Sequence, residues 1–459
     1  MMNELIVAIS TPPGEGAIGI IRMSGLGAID LLAKIFRPYK VDSDIASRNN
    51  YSLSLGWMIE ANEEKIDEVL VSIMRGPHSY TAEDVVEINC HGGSVAIRRC
   101  LQRCLHQGAR LAEPGEFTKR AYLNGRLELS QAEAVMELIR AKTDRGLKLA
   151  LQELEGKSGQ VIAALEEQLL HLNAMVDASL DFPDEVGDIN QAEAMTILQV
   201  VIDKIDHLLL AGRRAEVYRD GVQIAICGKP NVGKSSLLNA LVRKEKAIVT
   251  EFPGTTRDVI EEYINIRGIP VKIMDTAGIR ATEDLVEKIG VERSRESIVK
   301  ADLVIFVLDY GSGISDEDME IFNTIPAEKM IVLVNKEDIE VKEISQSELK
   351  NRFSGIKVIH SSVKEDIGLD KLEETIEKMV LSGALEQDGM EIMINLRQKN
   401  ALMKSREHAA SALAAIAEVS LDCLAVDVWG ALDCLGELTG KSLKEEVIER
   451  IFHEFCIGK

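Results

Sequence analysis

The chain has 459 residues, 46% hydrophobic and 28% charged, a composition that excludes wholesale disorder and a length that exceeds one hydrophobic core. At roughly 100–200 residues per domain, two to four domains are expected. Fifty-three Lys and Arg against 75 Asp and Glu leave a formal charge of −22, which opposes non-specific attachment to nucleic acid or to an anionic membrane.

No apolar run approaches the ~18 residues of a bilayer span, and the longest, Leu303–Leu308, suits a buried strand. The N-terminal stretch carries Glu4 before a short apolar run and no basic region, so no signal peptide and a cytoplasmic location are expected. Any nucleic-acid contact must then be local or shared with a partner. The local candidate is Asn89–Leu127, where Arg98, Arg99, Arg103, Arg110, Lys119, Arg120 and Arg126 face only Glu113 and Glu116. The alternative is a helix with a solvated basic face. Seven cysteines without CxxC spacing indicate neither a disulfide framework nor a zinc ribbon. Cys100 and Cys104 lie one helical turn apart near His91 and His106, and two buried helical thiols are expected there rather than a metal site.

Along the chain the hydrophobic period changes three times. Residues 1–120 mix β-rich runs (Leu5–Ile9, Ile18–Met23, Val69–Met74, Val85–Asn89) with a helical pattern over Ser94–Gln107, an α+β signature. Residues 121–220 read as helix, with Leu129, Ala132, Val135 and Ile139, then Val161, Leu165, Leu169, Leu172 and Val176, at three- and four-residue spacing. Asp181–Glu185 interrupts this run at Pro183, and a further helix is expected over Gln191–Ala211. Residues 221–381 alternate short apolar strands with helices, the signature of a parallel sheet wound by helices. Residues 382–459 return to helix, with Ser442 and Glu445 expected to form the capping box of the last one. The simplest arrangement inserts the α/β domain into a helical domain whose halves pack together.

The chemistry concentrates in that inserted segment. Gly228-Lys-Pro-Asn-Val-Gly-Lys234-Ser235 matches GxxxxGK[ST] between a strand and a helix, the context in which backbone N–H groups and a helix N-terminus cradle phosphate. Lys234 suits β/γ-phosphate charge and the Ser235 hydroxyl suits Mg²⁺. Gly254-Thr-Thr256-Arg-Asp258 offers a metal-binding threonine in a loop, and Asp275-Thr-Ala-Gly278 follows another strand. Asn335-Lys336-Glu-Asp338 ends a further strand, where the Asp338 carboxylate suits guanine N1–H and N2–H and so favours GTP over ATP. Ser361-Ser362-Val363 stands where such domains usually carry a Ser-Ala-Lys loop. Ile279 occupies the place of the water-orienting glutamine of Ras-like GTPases.

Taken with Thr11–Gly25, Glu83–Gly93, Pro114–Val135, Asp181–Glu185 and the terminal Phe455–Lys459, these motifs resemble the MnmE (TrmE) family of tRNA-modification GTPases over essentially the whole chain. The resemblance implies an N-terminal folate-binding and dimerisation domain, a discontinuous helical domain and an inserted Ras-like G domain. It implies a homodimer acting with a FAD-dependent MnmG (GidA) partner on the wobble uridine of certain tRNAs. The carbon would come from 5,10-methylenetetrahydrofolate (5-formyltetrahydrofolate being its analogue), and GTP, Mg²⁺ and K⁺ would be required.

The implied nucleotide contacts are Asn231, Val232, Gly233, Lys234, Ser235 and Ser236; Thr250, Glu251, Phe252, Pro253, Gly254, Thr255 and Thr256; Asp275, Thr276, Ala277 and Gly278; and Asn335, Lys336, Asp338, Ser361, Ser362 and Val363. Ser235 and Thr256 would hold Mg²⁺, and Asn231, Thr250, Phe252 and Thr255 would hold K⁺. Glu287 would orient the attacking water. Arg22, Glu87, Arg126 and Lys459 would bind folate, and Cys456 is a conditional nucleophile whose alternative is a buried helix-end thiol. An Era- or Der-like GTPase of ribosome assembly is the competing reading. Against it, the chain has one P-loop, and its C-terminal block is helical without a GxxG loop.

Overall fold

The structure, a computed structural model, describes residues 4–39, 45–244, 248–249, 262–274, 298–381, 392–416 and 421–459. The N-terminal part builds a sheet from β1 (Ile6–Ile9), β2 (Ile18–Ser24), β3 (Phe36–Pro38), β4 (Ser52–Ile59), β5 (Lys65–Met74), β6 (Val85–His91) and β7 (Arg110–Leu111), in the order β3-β4-β5-β6-β2-β1-β7. Helices α1 (Ala28–Ile35) and α2 (Ser94–His106) cover one face, burying Leu32, Ile35, Cys100 and Cys104 against Ile21, Val71 and Ile88. Side chains alternate across a strand, so Val86, Ile88 and Cys90 point under the helices while Glu87 and Asn89 stand on the other face. That open face also carries the exposed Ile18, Leu53, Leu55 and Leu70.

Helices α3 (Glu116–Leu123), α4 (Leu129–Arg140), α5 (Asp144–Leu154), α6 (Lys157–Asp181), α7 (Pro183–Val186) and α8 (Gln191–Asp220) follow. The long run stops at Phe182, where Pro183 takes the first position of α7. Helix α8 extends nine residues past the expected end, and stops at Gly221. There φ is +82° and a Cβ would lie 2.1 Å from the Pro270 carbonyl oxygen, so only glycine fits.

The second sheet comprises β8 (Val222–Cys227), β9 (Ile248–Val249), β10 (Glu262–Ile266), β11 (Ile269–Met274), β12 (Leu303–Asp309), β13 (Met330–Asn335) and β14 (Lys357–His360), in the order β14-β13-β12-β8-β11-β10-β9. Its first five strands in that order are parallel. Helices α9 (Lys234–Lys244), α10 (Asp316–Phe322), α11 (Gln346–Arg352) and α12 (Leu369–Leu381) belong to this part.

The chain ends in α13 (Leu396–Ala415), α14 (Leu421–Thr439) and α15 (Glu445–His453). Helices α13 and α14 pack on α6 and α8 through Leu165, Leu172, Val201, Ile205, Leu402 and Val428, so the two helical stretches share one core. The expected capping box at Ser442 is absent. Lys444 is the N-cap of α15, and the Ser442 hydroxyl donates instead to the Asp433 carbonyl, closing the turn after α14. A local side-chain bond to a nearby carbonyl outcompeted the cap.

Within this helical core Glu153 is 4% exposed and accepts a hydrogen bond from Ser158. Burial pushes its carboxyl up to about 7 from an ordinary value of 4.5. The folded state therefore holds a proton that the unfolded state releases, and stability falls as pH rises from about 4.5 to 7, by roughly 3 kcal/mol in all. Glu153→Gln is expected to flatten that slope and to be the more stable form above pH 7, as read from denaturant midpoints across pH.

Candidate nucleotide and folate sites

The strand β8 lies between β11 and β12, and its end turns directly into the phosphate loop. At Gly228 φ is +139° and a Cβ would lie 2.3 Å from the Val307 carbonyl oxygen, so the turn presses against β12. Asn231 takes φ +65°, and at Gly233 a Cβ would lie 2.3 Å from Asn335 Nδ2. Lys234 opens α9 and curls back so that Nζ donates to the carbonyls of Gly228 (2.7 Å) and Lys229 (2.6 Å). Burial pulls this ammonium below the ordinary lysine range. Lys229 turns the other way, onto Ser315 and the buried Asp318 carboxylate (2.8 Å), tying the loop to α10. Ser235 and Ser236 are exposed on the first turn of α9.

One side chain joins the loops around this turn. Asn335, 3% exposed at the end of β13, donates to the Val232 carbonyl (3.0 Å) and accepts from Val363 N (3.1 Å). Lys336 pairs with Asp309 at the end of β12. The Ser362 hydroxyl donates to Asp338 Oδ1 (2.6 Å) and holds that carboxyl below its usual range. Ser361 accepts Glu337 N through its carbonyl, so this departure from the usual loop is met by backbone contacts. Ser361, Ser362, Val363, Asn335, Lys336 and Asp338 thus gather beside Asn231–Ser236. Thr250, Glu251, Phe252, Pro253, Gly254, Thr255, Thr256, Asp275, Thr276, Ala277, Gly278 and Glu287 lie outside the described residues.

A second constellation forms on the open face of the first sheet. Arg22 on β2 and Glu87 on β6 are cross-strand neighbours joined at 2.8–2.9 Å. Arg22 also donates to the Gly458 carbonyl (3.3 Å) and lies over the Tyr80 ring, which Arg126 covers as well (4.9 Å to its centroid). The C-terminal tail reaches this point because Gly115 N donates to the Cys456 carbonyl, Phe117 N to that of Lys459, and Ser10 to that of Gly458. Burial, with Arg22 beside it, pulls Lys459 below the ordinary lysine range. The structure therefore brings all four sequence-predicted residues around one place. An open groove of about 480 Å³ adjoins it, with Tyr51, Met74, His78, Tyr80 and Arg126 in its wall. Tyr80 and Tyr51 were missed, and no local pattern marked them. Cys456 is exposed, not the buried helix-end thiol of the alternative reading.

Of the basic residues in Asn89–Leu127, Arg98 and Arg126 are exposed, and the other five are paired within the chain. Arg103 is buried and donates to the Ile59 carbonyl, Arg120 bridges Glu83 and Glu116, Arg110 bridges Glu4 and Glu116, and Arg99 and Lys119 pair with Glu60 and Glu449.

A phosphate loop between β8 and α9, with Asp338 just beyond the end of β13, two strands away in the parallel part of the same sheet, defines the chain as a P-loop protein of the GTPase type carrying a helical bundle and a separate α+β unit. A family model for the MnmE helical domain matches residues 129–456, and one for the GTP-binding protein TrmE N-terminus matches residues 5–126. The tRNA modification GTPase MnmE of Syntrophomonas wolfei subsp. wolfei is 62% identical over 459 residues, covering 100% of both chains. Those of Desulforamulus reducens and Thermoanaerobacter pseudethanolicus are 48% and 46% identical over 462 residues, again covering 100% of both. The chain belongs to the MnmE (TrmE) family of tRNA modification GTPases.

Asn335→Ala would leave the buried Val232 carbonyl without its donor, at a cost of about 1–3 kcal/mol, and the partly buried Val363 N–H without its acceptor. The expected outcome is a loss of guanine-nucleotide affinity of tenfold or more in a fluorescent-nucleotide titration, with the helical core unchanged by circular dichroism.

Proposed function

We propose that the chain hydrolyses GTP to drive modification of tRNA. In this reading it acts as a homodimer with a FAD-dependent MnmG (GidA) partner and adds an aminomethyl or carboxymethylaminomethyl group to C5 of the wobble uridine, using a folate-borne carbon. The observation that carries it is the pairing of two unlike sites on one chain. One is a phosphate loop whose neighbour Asp338 is held ionised by Ser362. The other is an Arg22–Glu87–Lys459 cluster assembled from three distant stretches.

The division 1–120, 121–220, 221–381 and 382–459 follows from this reading. Lys234 neutralises phosphate charge, and the N–H groups of Asn231–Ser235 bind phosphate oxygens. The left-handed turns at Asn231 and Gly233, just before the first turn of α9, suit a loop whose N–H groups converge on a phosphate chain. The exposed Ser235 hydroxyl at the mouth of the loop, with Thr256, fits Mg²⁺, which would supply charge neutralisation between phosphates. Asn231, in a left-handed turn at the same mouth, would contribute to a K⁺ site with Thr250, Phe252 and Thr255. Glu287 would orient water. For folate, Glu87 suits the pterin N3–H and amino group, while Arg22, Arg126 and Lys459 suit its carbonyl and the glutamate carboxylates. The apolar side chains Ile18, Leu53, Leu55 and Leu70 beside that cluster support pairing of two copies through the open face. Among the described residues no helix is long and apolar enough to cross a membrane; a cytoplasmic location is part of this proposal.

The test is GTP turnover in KCl against NaCl at equal ionic strength. Strong stimulation by K⁺, abolished by Asn231→Ala, is expected. Equal, slow rates in both salts would remove the K⁺ and Glu287 assignments and favour an ordinary switch GTPase of the Era or Der kind.

A further inference from the structure

The opposite, helix-covered face of the first sheet holds a cluster that neither site uses. On β5, Asp67 is in phase with Val69, Val71 and Ile73, all buried, so its carboxylate occupies a core-facing register position. On β6, Cys90 continues the inward series Val86 and Ile88. Helix α2 lays Cys100 over both strands. A carboxylate oxygen of Asp67 and the sulfurs of Cys90 and Cys100 all lie within 4.8 Å of one another. Cys90 is 3% exposed and Cys100 0%, while the Asp67 side chain keeps 10%, so the cluster meets solvent through its carboxylate. The Cys90 thiol donates to the Gly19 carbonyl (3.2 Å), and the two neighbouring thiols push Cys100 up and Cys90 down.

Asp67 is oriented from outside. Its Oδ1 lies 2.6 Å from His91 Nδ1, and its Oδ2 accepts His91 N at 2.8 Å. An imidazole and an amide steadying a carboxylate beside two thiols is the outer arrangement that metal-ligating side chains use. Cys100 and Cys104 are both buried thiols of α2, as the sequence pattern predicts. The strand register sets Cys90 and Asp67 beside Cys100.

We propose that Asp67, Cys90 and Cys100 form a binding site for a thiophilic divalent cation of the Zn²⁺ class, with His91 as the positioning residue behind Asp67. Two thiolates and a carboxylate are a borderline-soft donor set suited to tetrahedral coordination, with a fourth position left for a further ligand. Binding forms two metal–sulfur bonds and one metal–oxygen bond, and the two S–H protons leave to solvent. No electron is transferred. The ion would bolt α2 to the central strands β5 and β6, on the face away from Arg22 and Glu87.

The test uses the full chain, reduced with a phosphine, stripped with a chelator and titrated anaerobically with Co²⁺ alone. One equivalent per chain is expected, with thiolate-to-cobalt charge-transfer absorption in the near ultraviolet that Zn²⁺ abolishes by displacement. Cys90→Ser and Cys100→Ser are expected to remove the band, and His91→Ala to weaken binding roughly 10–100-fold. Asp67→Asn, which keeps both thiols and the local shape, is expected to weaken it at least roughly tenfold and carries the test should a cysteine variant not fold. Absence of a thiolate band at one equivalent would overturn the proposal. So would a band undiminished in Cys90→Ser and Cys100→Ser, which would put the ion on the exposed Cys423 or Cys456, or affinity unchanged in Asp67→Asn.

Discussion

The fold depends on a chain that leaves its helical bundle, builds a whole α/β unit and returns in register. Arg397 sets that register. At the start of α13 it grips the Glu133 carboxylate of α4 with two nitrogens, at 3.0 and 2.8 Å, and gives a third hydrogen bond to the Glu437 carbonyl of α14 (2.6 Å). Gln398 adds a bond to the same carboxylate. A bidentate guanidinium–carboxylate pair has directional demands that apolar contacts lack. It selects one rotation of α13 on α4, and the small buried residues Ala401, Ala409 and Ala412 then meet α8 and α14 closely.

From that point the geometry is transmitted in two directions. Toward the C-terminus, Phe452 of α15 and Phe455 just beyond it pack on Leu129 and Met136 of α4, and this delivers the tail to the first sheet. Toward the inserted unit, the bundle and second sheet share a core, with Leu149, Ala150, Ala215 and Tyr218 among the strand residues Val222, Ile224 and Ile269. Thr143, the N-cap of α5, donates to the Gly268 carbonyl at the turn between β10 and β11. That hairpin lies between the segment bearing Thr250–Thr256 and the segment bearing Asp275–Gly278. Its turn is therefore fastened to the bundle by that hydrogen bond.

What sequence made legible was whatever chemistry is local. The five parallel strands are short apolar runs, and the phosphate loop needs glycines at 228 and 233 for backbone reasons that no side chain can meet. The strand β4 escaped because Ser52, Ser54 and Gly56 alternate with leucines, so its buried face is small and polar and its exposed face apolar, the reverse of the usual pattern. The strand β3 is only three residues long, and α1 is a short helix opened by Gly27 without a side-chain cap. The basic stretch misled in its partners, since Glu4, Glu60, Glu83 and Glu449 are remote in sequence and adjacent only after folding. The same holds for Asn335, whose amide was visible as part of a motif but whose hold on Val232 and Val363 depends on strand order.

The seven cysteines illustrate how far burial decides chemistry. Cys104 and Cys227 have lost solvent to apolar neighbours, and burial pushes both up to about 12, so each stays a neutral thiol at physiological pH. Cys456 is exposed and one residue from Gly458's neighbour Ile457, on a tail whose backbone is pinned at Cys456, Gly458 and Lys459. The same pinned backbone fixes the position of Cys456 and sets Lys459 beside Arg22. The close approach of Gly458 to the Ile9 carbonyl oxygen, where a Cβ would lie 2.5 Å away, makes both depend on a glycine at that position.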